Sequence, residues 1–123
     1  MIKLVYLLKR HPDLSVEAFR DLYESRHARL GEKHARRAAR YVRRYLEPLP
    51  ELFTGSQIEP EHDVITELWY NSRADYEADM AQLSKPEVMA EIVADEETIF
   101  DRSKHRLYTV DECDSPCGGE EAS

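Results

Sequence analysis

Residues 2–9 read Ile2-Lys-Leu-Val-Tyr-Leu-Leu-Lys9, with Ile2, Leu4, Tyr6 and Leu8 on one parity and Val5 and Leu7 on the other. Successive side chains of a strand point to opposite faces, so a strand that is apolar at both parities is covered on both sides. Residues 63–70 repeat the pattern, with Val64, Thr66, Leu68 and Tyr70 on one side and Ile65, Glu67 and Trp69 on the other. Two such strands mark the centre of a sheet.

The segments between them supply the rest of the architecture. After a turn at His11-Pro12-Asp13, Ser15 is placed as an N-cap, and Leu14 with Phe19 forms a hydrophobic staple. The helix is expected to run from Val16 to about Leu30, where Gly31 invites a break, with a second helical piece to about Ala39. Arg40 to Glu47 alternates as a strand charged on both faces, which suits a sheet edge, and Pro48 and Pro50 end it. The stretch from Leu49 to His62 is a long loop suited to covering a site. Ser72 caps a helix carrying Tyr76, Met80 and Leu83, and Pro86 opens another with Val88, Met89, Ile92 and Val93. Lys104 to Asp111 is a fourth strand. The order strand, helix, strand, strand, helix, strand predicts a ferredoxin-like α+β fold, βαββαβ, with a four-stranded antiparallel sheet and helices on one face. The second face of the central strands then needs another subunit, so a homodimer is expected.

The 123 residues suffice for one domain, assigned to 1–112, followed by a flexible acidic tail at 113–123. Apolar and charged fractions of 41% and 34% predict a soluble globular protein, and no apolar run approaches the roughly 20 residues of a membrane helix. Leu4 to Leu8 is too short for the ~7–15-residue core of a signal peptide, so a cytoplasmic location is expected. Cys113 and Cys117 both lie in the tail, in a C-x3-C pair with too few neighbours to hold zinc. The net charge of −8 is uneven: residues 20–44 carry nine Lys/Arg against three Asp/Glu. Without an aromatic-and-glycine RNA signature, that stretch reads as a solvated or ion-paired face, and nucleic acid is not an expected partner.

Within the first helix, Phe19, Tyr23 and His27 recur every four residues. Each step drifts only about 40° around an α-helix, so the three project the same way and place an imidazole at the end of an aromatic stripe. Proton-transfer chemistry on a small organic molecule needs a base for an acidic hydrogen and a donor for the oxygen on which charge develops. His27 titrates near neutrality and suits either part, and Tyr6, Tyr23 and Trp69 offer an apolar wall with hydroxyl and N–H handles. Glu67 lies on the Trp69 side of a central strand and needs a partner, for which His27, Arg44 and Tyr6 are candidates. The bland alternatives are a structural His27, a Glu67–Arg ion pair, and core roles for Tyr23 and Trp69. His34 lies about 10 Å along the helix from His27, too far to share a metal, and His11, His62 and His105 read as turn or strand residues.

With this architecture, the chain resembles the EthD family of the dimeric α+β barrel superfamily up to about Glu112. The resemblance is carried by the first strand at 2–10, the Phe19–Tyr23–His27 stripe, Tyr41-Val42-Arg43, Glu67-Leu68-Trp69-Tyr70, and Asp95-Glu96-Glu97 with Phe100. It implies a homodimer whose sheets close into a barrel, with a pocket between sheet and helices in each subunit. Similar proteins include cyclases, dehydratases, isomerases, decarboxylases and anthrone oxygenases acting on aromatic or polyketide-like molecules, mostly without metal or organic cofactor. The resemblance thus points to acid/base chemistry by His27, Glu67 and Tyr23, with Tyr6, Phe19, Trp69 and Arg44 binding substrate. A cofactor-free oxygenase and a non-catalytic binding protein are the alternatives. Haem-degrading relatives carry a His on the second helix, and residues 72–98 here contain none.

Overall fold

The computed structural model describes residues 1–119. Four strands, β1 (Ile2–Leu8), β2 (Arg40–Tyr45), β3 (Val64–Tyr70) and β4 (Arg106–Thr109), form one antiparallel sheet in the order β2-β3-β1-β4. The two strands apolar at both parities are central, and the charged β2 is an edge. Pairing runs from Ile2 opposite Tyr70 to Leu8 opposite Val64, and from Arg40 opposite Trp69 to Tyr45 opposite Val64. Helices α1 (Val16–Leu22), α2 (Ala28–His34), α3 (Arg73–Leu83) and α4 (Pro86–Ile99) complete the ferredoxin-like fold. Leu4, Leu8, Val64, Leu68 and Tyr70 of the sheet are buried in the core.

Local chemistry starts each helix where expected. Ser15 Oγ accepts the Ala18 N–H at 3.1 Å, Ser72 Oγ accepts the Asp75 N–H at 3.1 Å, and Pro86 stands in the first turn of α4. The polar edge strand is held to the helix layer by Glu24, which takes two hydrogen bonds from Arg43 (3.0 and 2.7 Å) and one from the Tyr45 hydroxyl (2.5 Å). Asp79, 2% exposed, accepts the Arg37 N–H at 3.1 Å and the Tyr70 hydroxyl at 2.9 Å, tying α3 to the turn before β2.

The first helical segment differs from its expected form. It does not break at Gly31: α1 passes through a π-helical turn, Tyr23–His27, directly into α2, which ends at His34 instead of Ala39. Gly31 has another function. A Cβ there would lie 2.5 Å from the Tyr41 ring, so the glycine permits helix and edge strand to approach. Gly31→Ala gains about 1 kcal/mol in helix propensity but overpacks the contact at a cost of about 1–3 kcal/mol. A net loss on the order of 1 kcal/mol is therefore expected in urea unfolding, and a rise in stability would show that the Tyr41 ring yields freely.

Other boundaries shift slightly. β4 is shorter than 104–111 because Arg102–Lys104 forms a 3-10 turn capped by Asp101, whose Oδ1 accepts the Ser103 N–H at 3.1 Å. Residues 46–63 form the long loop, closed at its base by Leu46 N–H to Asp63 O at 2.9 Å, with Leu52 and Phe53 outermost. Residues 113–119 of the expected tail are exposed and lack regular structure, and 120–123 lie outside the described residues. Among the described residues no helix is long and apolar enough to cross a membrane.

Candidate active site

A cavity of about 260 Å³ lies between the helix-facing side of the sheet and the helices α2 and α4. Tyr6, Tyr41 and Thr66 form its sheet wall, Tyr23 and His27 project from the π turn, and Glu96 enters from α4. Leu30, Ile92 and Val93 supply much of the apolar lining. At this size the cavity admits one small organic molecule.

The π turn sets the aim of the imidazole. Ala28 N–H bonds the Tyr23 carbonyl five residues back, and this wider turn takes back part of the drift that α-helical steps accumulate along the stripe. Phe19, Tyr23 and His27 are thus all buried, at 1%, 1% and 9% exposure. Edge-on contacts with Tyr23 (5.4 Å between centroids) and Phe100 (5.2 Å) fix the His27 ring. His27 Nδ1 lies 2.9 Å from Asp95 Oδ2, and the other Asp95 oxygen pairs with Arg26 Nε. A carboxylate accepts only, so Nδ1 carries the hydrogen of the neutral ring and Nε2 keeps its lone pair. Nε2 has no hydrogen-bond partner among the described residues. Burial lowers the His27 pKa below its ordinary 6.5; the Asp95 hydrogen bond and charge oppose that shift and Arg26 adds to it. The product is an imidazole whose neutral form is favoured and whose orientation is fixed.

The hydroxyls of the wall remain protonated. Burial holds the Tyr23 phenol well above its ordinary value, and its oxygen lies 2.6 Å from Thr66 Oγ1 and 3.4 Å from the Tyr41 hydroxyl. Tyr6 is pushed up to about 12 by burial, with Glu96 adding to the effect. Glu96 is itself raised by burial, against the lowering influence of Arg102, whose Nε is 3.5 Å away.

Of the residues singled out from sequence, His27, Tyr23 and Tyr6 meet at this cavity. Phe19 packs behind them, its ring 5.7 Å from Phe100 and 6.2 Å from Tyr23, without lining the space. Glu67, Trp69 and Arg44 lie on the opposite face of the sheet, away from His27. There Glu67 accepts from Arg44 Nε at 2.9 Å and Trp69 Nε1 at 2.7 Å, which places its partner as Arg44 and lowers its pKa. Trp69 is flanked by Lys3 Nζ at 4.0 Å and the Arg40 guanidinium at 4.6 Å. The long loop contributes no residue to the cavity. His34 Nε2 instead meets Glu91 at 3.2 Å. Among the described residues, no three His, Cys, Asp or Glu side chains gather at metal-binding spacing.

Asp95, Glu96 and Thr66 belong to the site without being expected there from the motifs of the sequence. A signal for two of them exists in α4. Val88 and Ile92 mark its apolar face, and Asp95 and Glu96 follow Val88 by seven and eight residues, so both carboxylates continue that face toward the sheet.

Comparison with known proteins agrees with this architecture. A crystal structure of an ethyl tert-butyl ether D (EthD) family protein from Bacillus halodurans superposes with a TM-score of 0.61 at 18% identity, over 92% of this chain and 99% of that one. HapK from Hahella chejuensis gives 0.60 at 12% identity, with both chains fully covered. A dimeric protein of unknown function and ferredoxin-like fold from Bacteroides fragilis gives 0.55 at 10% identity, over 90% and 95% of the two chains. At these identities the likeness is one of fold. No curated protein matches the sequence. The EthD domain profile, however, matches residues 11–103, most of the chain, and on that match the chain belongs to the EthD family.

Proposed function

We propose that this protein is a small-molecule enzyme that performs acid/base chemistry on an aromatic or polyketide-like compound, of the cyclase, dehydratase, isomerase or decarboxylase type. The observation that carries the reading is the His27–Asp95 pair at 2.9 Å, on a side chain that lines a mostly apolar cavity and whose Nε2 has no hydrogen-bond partner among the described residues. A neutral imidazole held by a carboxylate can take a proton from a weakly acidic C–H or O–H, and the carboxylate stabilises the imidazolium that forms. Phenol hydroxyls across the cavity can donate to the oxygen on which charge develops. The proposed steps call on these side chains alone, without a bound cofactor. Anthrones, phenols and β-keto aromatics, incubated with and without oxygen, test it: turnover in both conditions supports the acid/base reading, turnover only with O₂ makes the protein an oxygenase, and binding without turnover makes it a carrier or accessory protein.

The active unit of this proposal is a homodimer. Val5, Leu7, Val42, Ile65 and Trp69 share, with the Glu67–Arg44 pair, Lys3 and Arg40, the sheet face that no helix of the same chain covers, and its apolar part is suited to a second copy. The dimeric relative from Bacteroides fragilis supports the same reading. Light scattering at micromolar concentration is expected to report twice the 14.4 kDa chain mass, and a monomer there would refute the assembly.

A further inference from the structure

Two consecutive carboxylates near the end of α4 face different surroundings. Asp95 turns to Arg26 and His27. Glu96 turns into the cavity, with a side chain 18% exposed and a single cationic neighbour, Arg102, 3.5 Å away and itself 45% exposed. That pair is long for a hydrogen bond and open to solvent on one side, so it is a weak reason for a carboxylate to be buried there. The titratable groups that line the cavity with Glu96 are Tyr6 from β1, Tyr41 from β2, Tyr23 and His27 from the π turn and Arg102 from the 3-10 turn, with Asp95 beside it in the chain. Burial first, and Asp95 last, favour its neutral acid, while Arg102 favours the carboxylate. Its place in the last turn of α4 adds to this, because the negative end of a helix disfavours a second anion. His27 is shifted the other way by its own burial. Two titratable groups on one cavity, pushed in opposite directions, mark a base and an acid.

We infer that Glu96 is the proton donor of this cavity, set against the His27 base, and that the substrate is a ketone or β-keto compound whose α C–H meets His27 while its carbonyl oxygen meets Glu96. The inference rests on the reading of His27 as the base. In the step, the Nε2 lone pair takes the α-proton and the C–H electron pair becomes the C=C bond of an enol. The carbonyl π pair moves onto oxygen, which takes the Glu96 proton. The products are an enol, an imidazolium and a carboxylate, with no net oxidation. Arg102 then balances the carboxylate, and return of the proton to carbon, with reprotonation of Glu96 from the enol, restores the enzyme. The burial that raises the Glu96 pKa favours a donor without a fixed charge against these apolar walls.

The probe is 2-tetralone, an aromatic ketone with an acidic α C–H. Its α-deuteration in D₂O is followed by proton NMR from pH 5 to 9 for the wild type, Glu96→Gln and His27→Ala. The wild type is expected to accelerate exchange and to lose rate on the alkaline side as Glu96 loses its proton. Glu96→Gln, which can donate a hydrogen bond but not transfer the proton, is expected to be slower by roughly 10²-fold and to lack that alkaline fall. A Glu96→Gln enzyme with the wild-type rate and profile overturns the inference, as does a wild type that exchanges no ketone. If His27→Ala collapses while Glu96→Gln is unchanged, only Glu96 is misassigned; if neither changes, the base reading falls too. Should the variant not fold, carbon-13 NMR of the wild-type carboxyl decides: titration at or below the ordinary 4.5 refutes the assignment, and titration above it supports it.

Discussion

His27→Ala is expected to leave the fold and the dimer in place and to cut turnover by roughly 10²–10⁴-fold, the usual worth of a positioned proton-transfer group. The loss should appear in kcat, because alanine removes the lone pair that accepts the proton and leaves the apolar walls that bind. The pH profile carries a second signature. Protonated His27 cannot act as a base, so the rate should fall as pH drops through its folded pKa. Burial places that value below the ordinary 6.5, so the acid limb lies below pH 6.5. Stability follows the same sign: the unfolded chain binds the proton more readily than the folded one, so acid lowers stability from about pH 6.5 downward. Asp95→Asn probes the tautomer, because an amide that donates to Nδ1 forces the hydrogen onto Nε2 and removes the base without removing the ring. An unchanged rate in His27→Ala would assign the ring to structure and move the catalytic argument to Tyr23 and Glu96.

Much of this arrangement is visible in the residues. Strand parity at 2–9 and 63–70 marks the sheet centre, Ser15, Ser72 and Pro86 mark the helix starts, and the four-residue stripe leads to His27. The face to which Glu67 belongs is not visible, because Val64–Tyr70 is apolar at both parities and periodicity alone does not say which side the helices cover. Only the register, with Glu67 opposite Val5 and Thr66 opposite Tyr6, separates them. The π turn is equally hidden, since Tyr23–His27 contains no glycine or proline to announce it. Gly31 reads as a break until the Tyr41 ring is placed against it. Asp95 and Glu96 read as part of an acidic run, and only their phase on α4 distinguishes them from Glu97.

The second large effect concerns Phe100, which caps α4 at 2% exposure. Its ring stands edge-on to four others at once: Phe19 at 5.7 Å, Tyr23 at 5.6 Å, His27 at 5.2 Å and His105 at 5.1 Å. Tyr23 also stands edge-on to four rings, His27 among them, so Phe100 and Tyr23 together join the aromatic core to the imidazole of the site. Phe100→Ala removes the hub and leaves a void that rigid rings cannot fill by small shifts, at a cost of about 3–5 kcal/mol. For a chain of this length that loss corresponds to a fall in Tm on the order of 10–20 °C, and the urea midpoint should drop with an unchanged slope. Phe100→Leu restores most of the volume but none of the edge-on contacts, so it should recover most of the stability while leaving His27 less firmly oriented and the enzyme slower. If Phe100→Leu instead matches the wild type in rate, Asp95 and the Tyr23 ring suffice to hold the imidazole; if Phe100→Ala costs less than about 1 kcal/mol, the aromatic cluster is not what closes this end of the core.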